Sequence, residues 1–222
     1  MMILSRREWG LFLAIVVYSL IPTFGGLFRV LELAGGPSIV PENPRALADP
    51  VPIILHIVGS FLFCIAGALQ FLPGIRHYRP AMHRGIGCVV AVAGCVSAAS
   101  GLWMTVAFDF PAALQGTILF FVRINLGVLM LCLIIWAILA SRSGNIFRHS
   151  ASMVRAYAIG QGASTQALFG IGWMVIAGTE PAGSLRDGLM VGSWAVNMLI
   201  AEVVIGKLLR PKRFRAAGHS RA

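Results

Sequence analysis

VPIILHIVGSFLFCIAGALQFLPGIRHYRPAMHRGIG, residues 51–87, decides the fold of this chain. Residues 53–72 are apolar apart from His56, Ser60 and Gln70, and at 1.5 Å per residue such a helix crosses a hydrocarbon core of roughly 30 Å. Pro73-Gly74 ends it. The segment from Ile75 to Arg84 is short and cationic, which suits a turn at an anionic membrane surface. A second apolar run starts at Gly85. The stretch therefore reads as two membrane helices joined by a basic hairpin, and it holds three of the chain's five histidines.

The rest of the chain repeats this pattern. Hydrophobic residues make up 58% and charged residues 12%, with a mean hydropathy of +0.83, far from the composition of a soluble domain. Spans are expected at 9–31, 51–72, 85–108, 117–140, 155–178 and 189–209, giving an all-α polytopic bundle of six transmembrane helices. Residues 1–222 form one integral membrane domain with a basic tail at 210–222. The run after Ser5-Arg6-Arg7-Glu8 is too long for a signal peptide's apolar core of roughly 7–15 residues and reads as an anchor. Pro22 is expected to kink that helix. The loop 34–50 holds four prolines and reads as irregular.

The net charge of +10 is explained by orientation in the bilayer, so nucleic acid is set aside as a partner. Fourteen of the 18 basic residues fall on one side of the six spans, three on the other, and Arg123 lies within a span; six of the eight acidic residues lie on the sparse side. Both termini are therefore expected in the cytoplasm of a bacterial plasma membrane, with the lipid bilayer as the constant partner. Cys64, Cys88, Cys95 and Cys132 all lie in apolar segments, without a Cys-x-x-Cys pair, and read as packing residues. Ala93, Ser97 and Gly101 recur every four residues, the spacing that lets membrane helices approach closely. Neither an internal repeat nor a soluble-enzyme signature is visible.

With this topology the ionisable residues sort by depth. His56, Arg123 and Arg29 lie toward the outer side, where charge in a membrane helix marks a cavity, a protein partner or snorkelling to lipid phosphate. As a site, Arg123 would hold an anion and His56 would exchange a proton. His83 and His149 lie toward the inner side at the starts of two helices running in the same direction. Two neutral imidazoles so placed could ligate the iron of one b-type haem, with Gly85, Gly87 and Gly160 leaving room for the macrocycle, or they could border a quinone. Arg84 and Arg155 belong to this candidate cofactor site, Arg155 as counter-charge. His149, Met153, Tyr157 and Gln161 share one helix stripe, which reads as an interfacial helix start with Tyr157 in the aromatic belt. Glu202 is expected to pair with Lys207.

His56 early in the second span, Gly67-x-x-Gln70-Phe71 at its end, Arg79-Pro80-x-x-His83-Arg84-x-x-Gly87 and His149-x-x-x-Met153-x-Arg155-x-Tyr157-Ala158 together resemble a bacterial family of predicted membrane proteins that carries the label of a domain of unknown function. The resemblance covers about residues 50–175 and departs from the pattern at Ser150 and near Gln166, where basic residues are frequent. It implies the membrane fold and the choice of residues, and no reaction. The arrangement of helices and histidines is also distantly similar to membrane b-type cytochromes and ferric reductases, by analogy alone.

Three functions follow as expectations. The first is a redox membrane protein with one haem b or a quinone on the cytoplasmic side at His83 and His149. The second is a non-catalytic subunit of a larger membrane complex, or a homo-oligomer, packed through small-residue helix faces. The third is a small-solute or proton carrier using His56, Arg123 and Glu202.

Overall fold

The computed structural model describes residues 4–209, and the basic tail at 210–222 lies outside the described residues. Helix α1 is Arg6–Leu33, α2 is Pro44–Ala48 and α3 is Pro50–Ala68, prolonged by a 3-10 turn at Leu69–Phe71. Next come α4 (Pro73–Tyr78), α5 (Pro80–Ala107), α6 (Thr117–Arg142), α7 (Ile146–Gly160), α8 (Gly162–Ala177) and α9 (Gly183–Val204), which ends in a π turn at Ile205–Leu209. Among the described residues there is no strand.

Five helices, α1, α3 with its 3-10 turn, α5, α6 and α9, are long and apolar enough to cross a membrane. The remaining expected span, 155–178, differs. The chain there is helical from Ile146 but divides at Gln161 into pieces of 15 and 16 residues, each below the roughly 20 that a crossing requires. Large apolar side chains such as Ile118, Val175 and Ile176, the last 85% exposed, point away from the bundle, as a lipid-facing surface does.

Local chemistry sets the helix starts. Proline occupies the first turn of α2, α3, α4 and α5, where its missing N–H is not needed and its φ already suits a helix. The expected basic hairpin is therefore itself helical, with only Arg79 (φ −135°) between α4 and α5, so that His83 sits inside the first turns of α5. Asn145 caps α7 by accepting from the Arg148 N–H at 3.0 Å, which likewise draws His149 into a helix. Ser5 and Glu8 form a reciprocal capping box at the start of α1. Glu8 also accepts from the Gly74 N–H at 2.5 Å, tying the chain's start to α4. Pro22 lies within α1 without ending it.

Small residues govern the packing. Gly59 on α3 faces Ala93 and Ser97 on α5 so closely that a Cβ would lie 2.9 Å from the Ala93 carbonyl oxygen and the Ser97 nitrogen. The Ala93-Ser97-Gly101 stripe is thus occupied by α3 of the same chain. Phe63, 1% exposed, fills the space left by Gly94 on α5 and Gly160 on α7, and it anchors a core with Val90, Met130, Ile134 and Tyr157. Tyr157 is buried rather than interfacial, because Gly67 on α3 leaves room for its ring and the Cys64 carbonyl accepts its hydroxyl at 2.6 Å.

The two ends of the bundle differ in charge. At one end the loops around 34–50, 108–116 and 178–188 clasp one another. Arg29 bonds Glu32 and the Pro41 carbonyl, the Ala113 carbonyl accepts from the Gly183 N–H at 2.9 Å, and Asp187 accepts from the Gly116 N–H at 2.9 Å. This end carries most of the acidic residues. The opposite end holds α4, His83, His149 and a bidentate Arg155–Glu202 pair, with contacts of 2.5 and 2.8 Å.

Candidate functional site

A cavity of about 380 Å³ runs between α1, α3, α5, α6, α8 and α9, reaching the α7–α8 junction, and both His56 and Arg123 line it. On α3 its lining extends from His56 to Cys64, roughly 12 Å at the helical rise. A smaller hollow of about 210 Å³, lined by Arg186, Pro181 and Leu189 at the acidic end, shares Gln166 and Met190 with it. Those two residues also join α8 to α9, the Gln166 amide donating to the Met190 carbonyl at 3.4 Å.

His56 is held by its neighbour helix. Its Nδ1 lies 2.8 Å from the Ser97 carbonyl oxygen. A carbonyl can only accept, so Nδ1 carries the proton, and in the neutral ring Nε2 is the acceptor that remains available to the cavity. Gly101 makes this position accessible: a Cβ there would stand 3.2 Å from the imidazole. Beside it, Ser60 and Ser97 bond each other through their hydroxyls at 2.7 Å.

Arg123 is the cation of the cavity. Its Nη1 donates to the Gln115 side-chain carbonyl, and Nη2 meets the Met190 sulfur at 3.9 Å. Its guanidinium lies 5.4 Å from the centre of the Phe110 ring, and that of Arg45 lies 4.8 Å from the same ring. Among the described residues no carboxylate lies within 4.0 Å of Arg123, which lines the cavity, although Asp187 acts on it from farther off.

The floor of the cavity is the interruption between α7 and α8. Where a helix breaks, carbonyls lose their ladder donors and must find others. Here Asn197 Nδ2 donates to the Ala158 carbonyl and Trp194 Nε1 to that of Ile159, each at 3.2 Å, while the Cys64 thiol approaches that of Gly160 at 3.9 Å. Gly162 permits this, because a Cβ would fall 2.0 Å from the Trp194 Nε1. Gln161 gathers the rest. Its amide donates to Ser19 and Tyr157, both at 2.9 Å, and its carbonyl oxygen accepts from Ser164 at 2.8 Å. Thr165 donates to Asn197 at 2.7 Å and bonds the Tyr18 hydroxyl.

The structure separates the residues that the sequence grouped. His56 and Arg123 come together in one cavity, near enough for their charges to act on one another, whereas Arg29 is buried outside its lining, spent on Glu32 and the loop. His83 and His149 are likewise electrostatic neighbours at the basic end. His149 Nδ1 lies 3.0 Å from the Ala137 carbonyl oxygen, while the buried His83 Nδ1 has no partner. Arg84 is exposed, and Arg155 is engaged by Glu202. Neither hollow includes these four residues. Gly160 and Gly87 face Phe63 and Gln70, and only Gly85 of the three glycines expected to make room for a macrocycle faces open space. Among the described residues no group of three or more His, Cys, Asp or Glu side chains could hold a metal ion.

The sequence signature of the family described as predicted membrane protein (DUF2306) matches residues 53–205, more than half of the chain. The chain belongs to that family. The matched stretch contains His56, Arg123, the broken helix and both basic-end histidines, while α1, which supplies Ser19, Pro22, Thr23 and Gly26 to the cavity wall, precedes it. No curated protein and no solved structure matches the chain. Trp194, Asn197 and Gln115 were not singled out by sequence. The signal for Trp194 was the glycine pair flanking Gln161, which offers a large side chain a place against helix backbone.

Proposed function

We propose that this membrane protein binds a small solute in the bilayer, as a carrier does, through the cavity shared by His56 and Arg123. The observation that supports this is the meeting of an imidazole and a carboxylate-free guanidinium, from two helices, in one lined hollow. In this reading α7 and α8 together make the sixth crossing, interrupted at the floor of the binding site, an arrangement that suits transport proteins. In this reading the termini and the His83 end lie in the cytoplasm of a bacterial inner membrane and the cavity faces outward, which the excess of basic residues supports.

A thermal-stability screen of the protein in nanodiscs against small water-soluble solutes tests this. At least one solute should raise the melting temperature in a concentration-dependent way, and both His56→Ala and Arg123→Ala should abolish the shift. Absence of any such solute, or shifts that survive both substitutions, would contradict the proposal.

A haem or quinone at His83 and His149 is the second reading, favoured by the buried, partnerless His83 Nδ1. The residues fit a haem only in part. His149 is anchored through Nδ1 as an iron ligand would be, whereas His83 has no such anchor, and two of the three expected glycine gaps are filled. No redox step is therefore derived. A Soret band that disappears in His83→Ala and His149→Ala would establish it, and a featureless spectrum would remove it. The accessory-subunit reading keeps the short loops and the open glycines such as Gly170 and Gly172 as support, but not the small-residue face of α5, which is filled by α3 of the same chain.

A further inference from the structure

We infer that the solute is a small organic monoanion, a carboxylate on a compact apolar body, bound with its charged head at Arg123 and His56; this rests on the solute-binding reading and names its substrate class. Arginine carries five N–H donors, and Arg123 commits one to Gln115 and another, weakly, to the Met190 sulfur. The remaining donors match the geometry of a carboxylate. An arginine within a membrane helix, with no carboxylate of the described residues in contact, is completed by a ligand that brings the negative charge.

Two further guanidiniums lie nearby. Arg45 shares the Phe110 ring with Arg123, and Arg186 lines the adjoining hollow beyond Gln166 and Met190. Against these three guanidiniums stand Asp187, which acts on both Arg123 and Arg186 and has one oxygen taken by the Gly116 N–H, and Glu180, which acts on Arg186. A single guanidinium lines the main cavity, so one negative charge is matched there. His56 adds a group that serves either protonation state of the ligand: its neutral Nε2 accepts from a carboxylic acid, and its imidazolium donates to a carboxylate.

Deeper in, the cavity asks for no further polar atoms. The hydroxyls of Ser60 and Ser97 bond each other, and that of Ser164 bonds Gln161. Ile57, Phe61, Leu102, Leu126 and Met130 supply apolar wall. A volume of about 380 Å³ is roughly two and a half times the ~150 Å³ cavity that accepts one benzene, which admits a ligand of up to about fifteen non-hydrogen atoms.

Equilibrium dialysis of the protein in nanodiscs of zwitterionic lipid, with labelled benzoate, benzylamine and benzyl alcohol, tests the charge directly because the three share one apolar body. Benzoate should bind saturably, and the amine and alcohol about tenfold or more weaker. Arg123→Gln should weaken benzoate by about tenfold or more, and Arg123→Lys, which keeps the charge without the fork, by less. Both variants should retain the wild-type melting temperature, so that lost binding is not lost fold. Amine or alcohol binding as tight as benzoate and abolished by His56→Ala would overturn the anion class and leave the solute site standing. Saturable binding of none of the three overturns the proposal, and the site itself then stands or falls on whether a Leu126→Cys thiol can be reached from water.

Discussion

The acidic end and the basic end of the bundle each place histidine beside arginine, and they use them in opposite ways. At the acidic end Arg123 lines a hollow with no carboxylate in contact, and His56 keeps one nitrogen available to the same space. At the basic end Arg155 is neutralised by Glu202 and His149 is held to a carbonyl, outside both hollows. The residue types are the same, so what separates a candidate site from a structural contact is whether the charge has already been answered within the protein. Arg29 makes the point within one end: its partner Glu32 is one turn away on its own helix, and it holds a loop.

Substitutions that exchange these roles break or sharpen the contrast. The largest effect is expected at Arg123. Arg123→Gln should reduce carboxylate binding by about tenfold or more, near 1.4 kcal/mol or beyond, while Arg84→Gln at the other end should leave binding within about twofold of wild type, both by dialysis. Next is the cavity floor. Gln161→Leu removes the acceptor of Ser164 and the donor to Ser19 and Tyr157, and should cost about 1–3 kcal/mol of stability in a denaturant titration. Gly162→Ala presses a methyl on Trp194 and should cost about 1–3 kcal/mol by the same measurement, with the Trp194 emission shifted as its indole is displaced from the Ile159 carbonyl. The smallest effect belongs to the basic end. Arg155→Ala, which opens a pair whose side chains are 33% and 50% exposed, should cost about 0.2–1 kcal/mol, and less in high salt.

Much of this was legible because hydropathy and helix rise act locally. The stretch 51–87 declared its helices through length alone, and counting turns inward from helix starts put His56 and Arg123 at comparable depth before any contact was known. The Ala93-Ser97-Gly101 stripe likewise predicted a close helix pair, and α3 fills it. What stayed hidden depended on a partner distant in sequence. Nothing local distinguishes Tyr157 in an aromatic belt from Tyr157 in a core; Gly67, ninety residues earlier, decides it. The interruption at Gln161 falls in a polar run with Ser164, Thr165 and Gln166 that reads equally well as an unbroken helix inside the bundle, and it is sustained by Trp194 and Asn197 from another helix. Arg29 joined the outer group because depth says nothing of whether a cation is already paired.

If the hollow at the acidic end is a solute site, water-soluble molecules should reach it from outside the cell. Cysteine labelling in intact cells measures it, with Cys64, Cys88, Cys95 and Cys132 replaced by alanine and single thiols introduced by Leu126→Cys, on the cavity wall, or Leu129→Cys, which is 40% exposed on the lipid-facing surface. A small membrane-impermeant sulfonate thiol reagent added outside should modify the Leu126→Cys protein, more slowly when benzoate is present, and leave the Leu129→Cys protein untouched. Equal labelling of both, or no labelling at position 126, would contradict it.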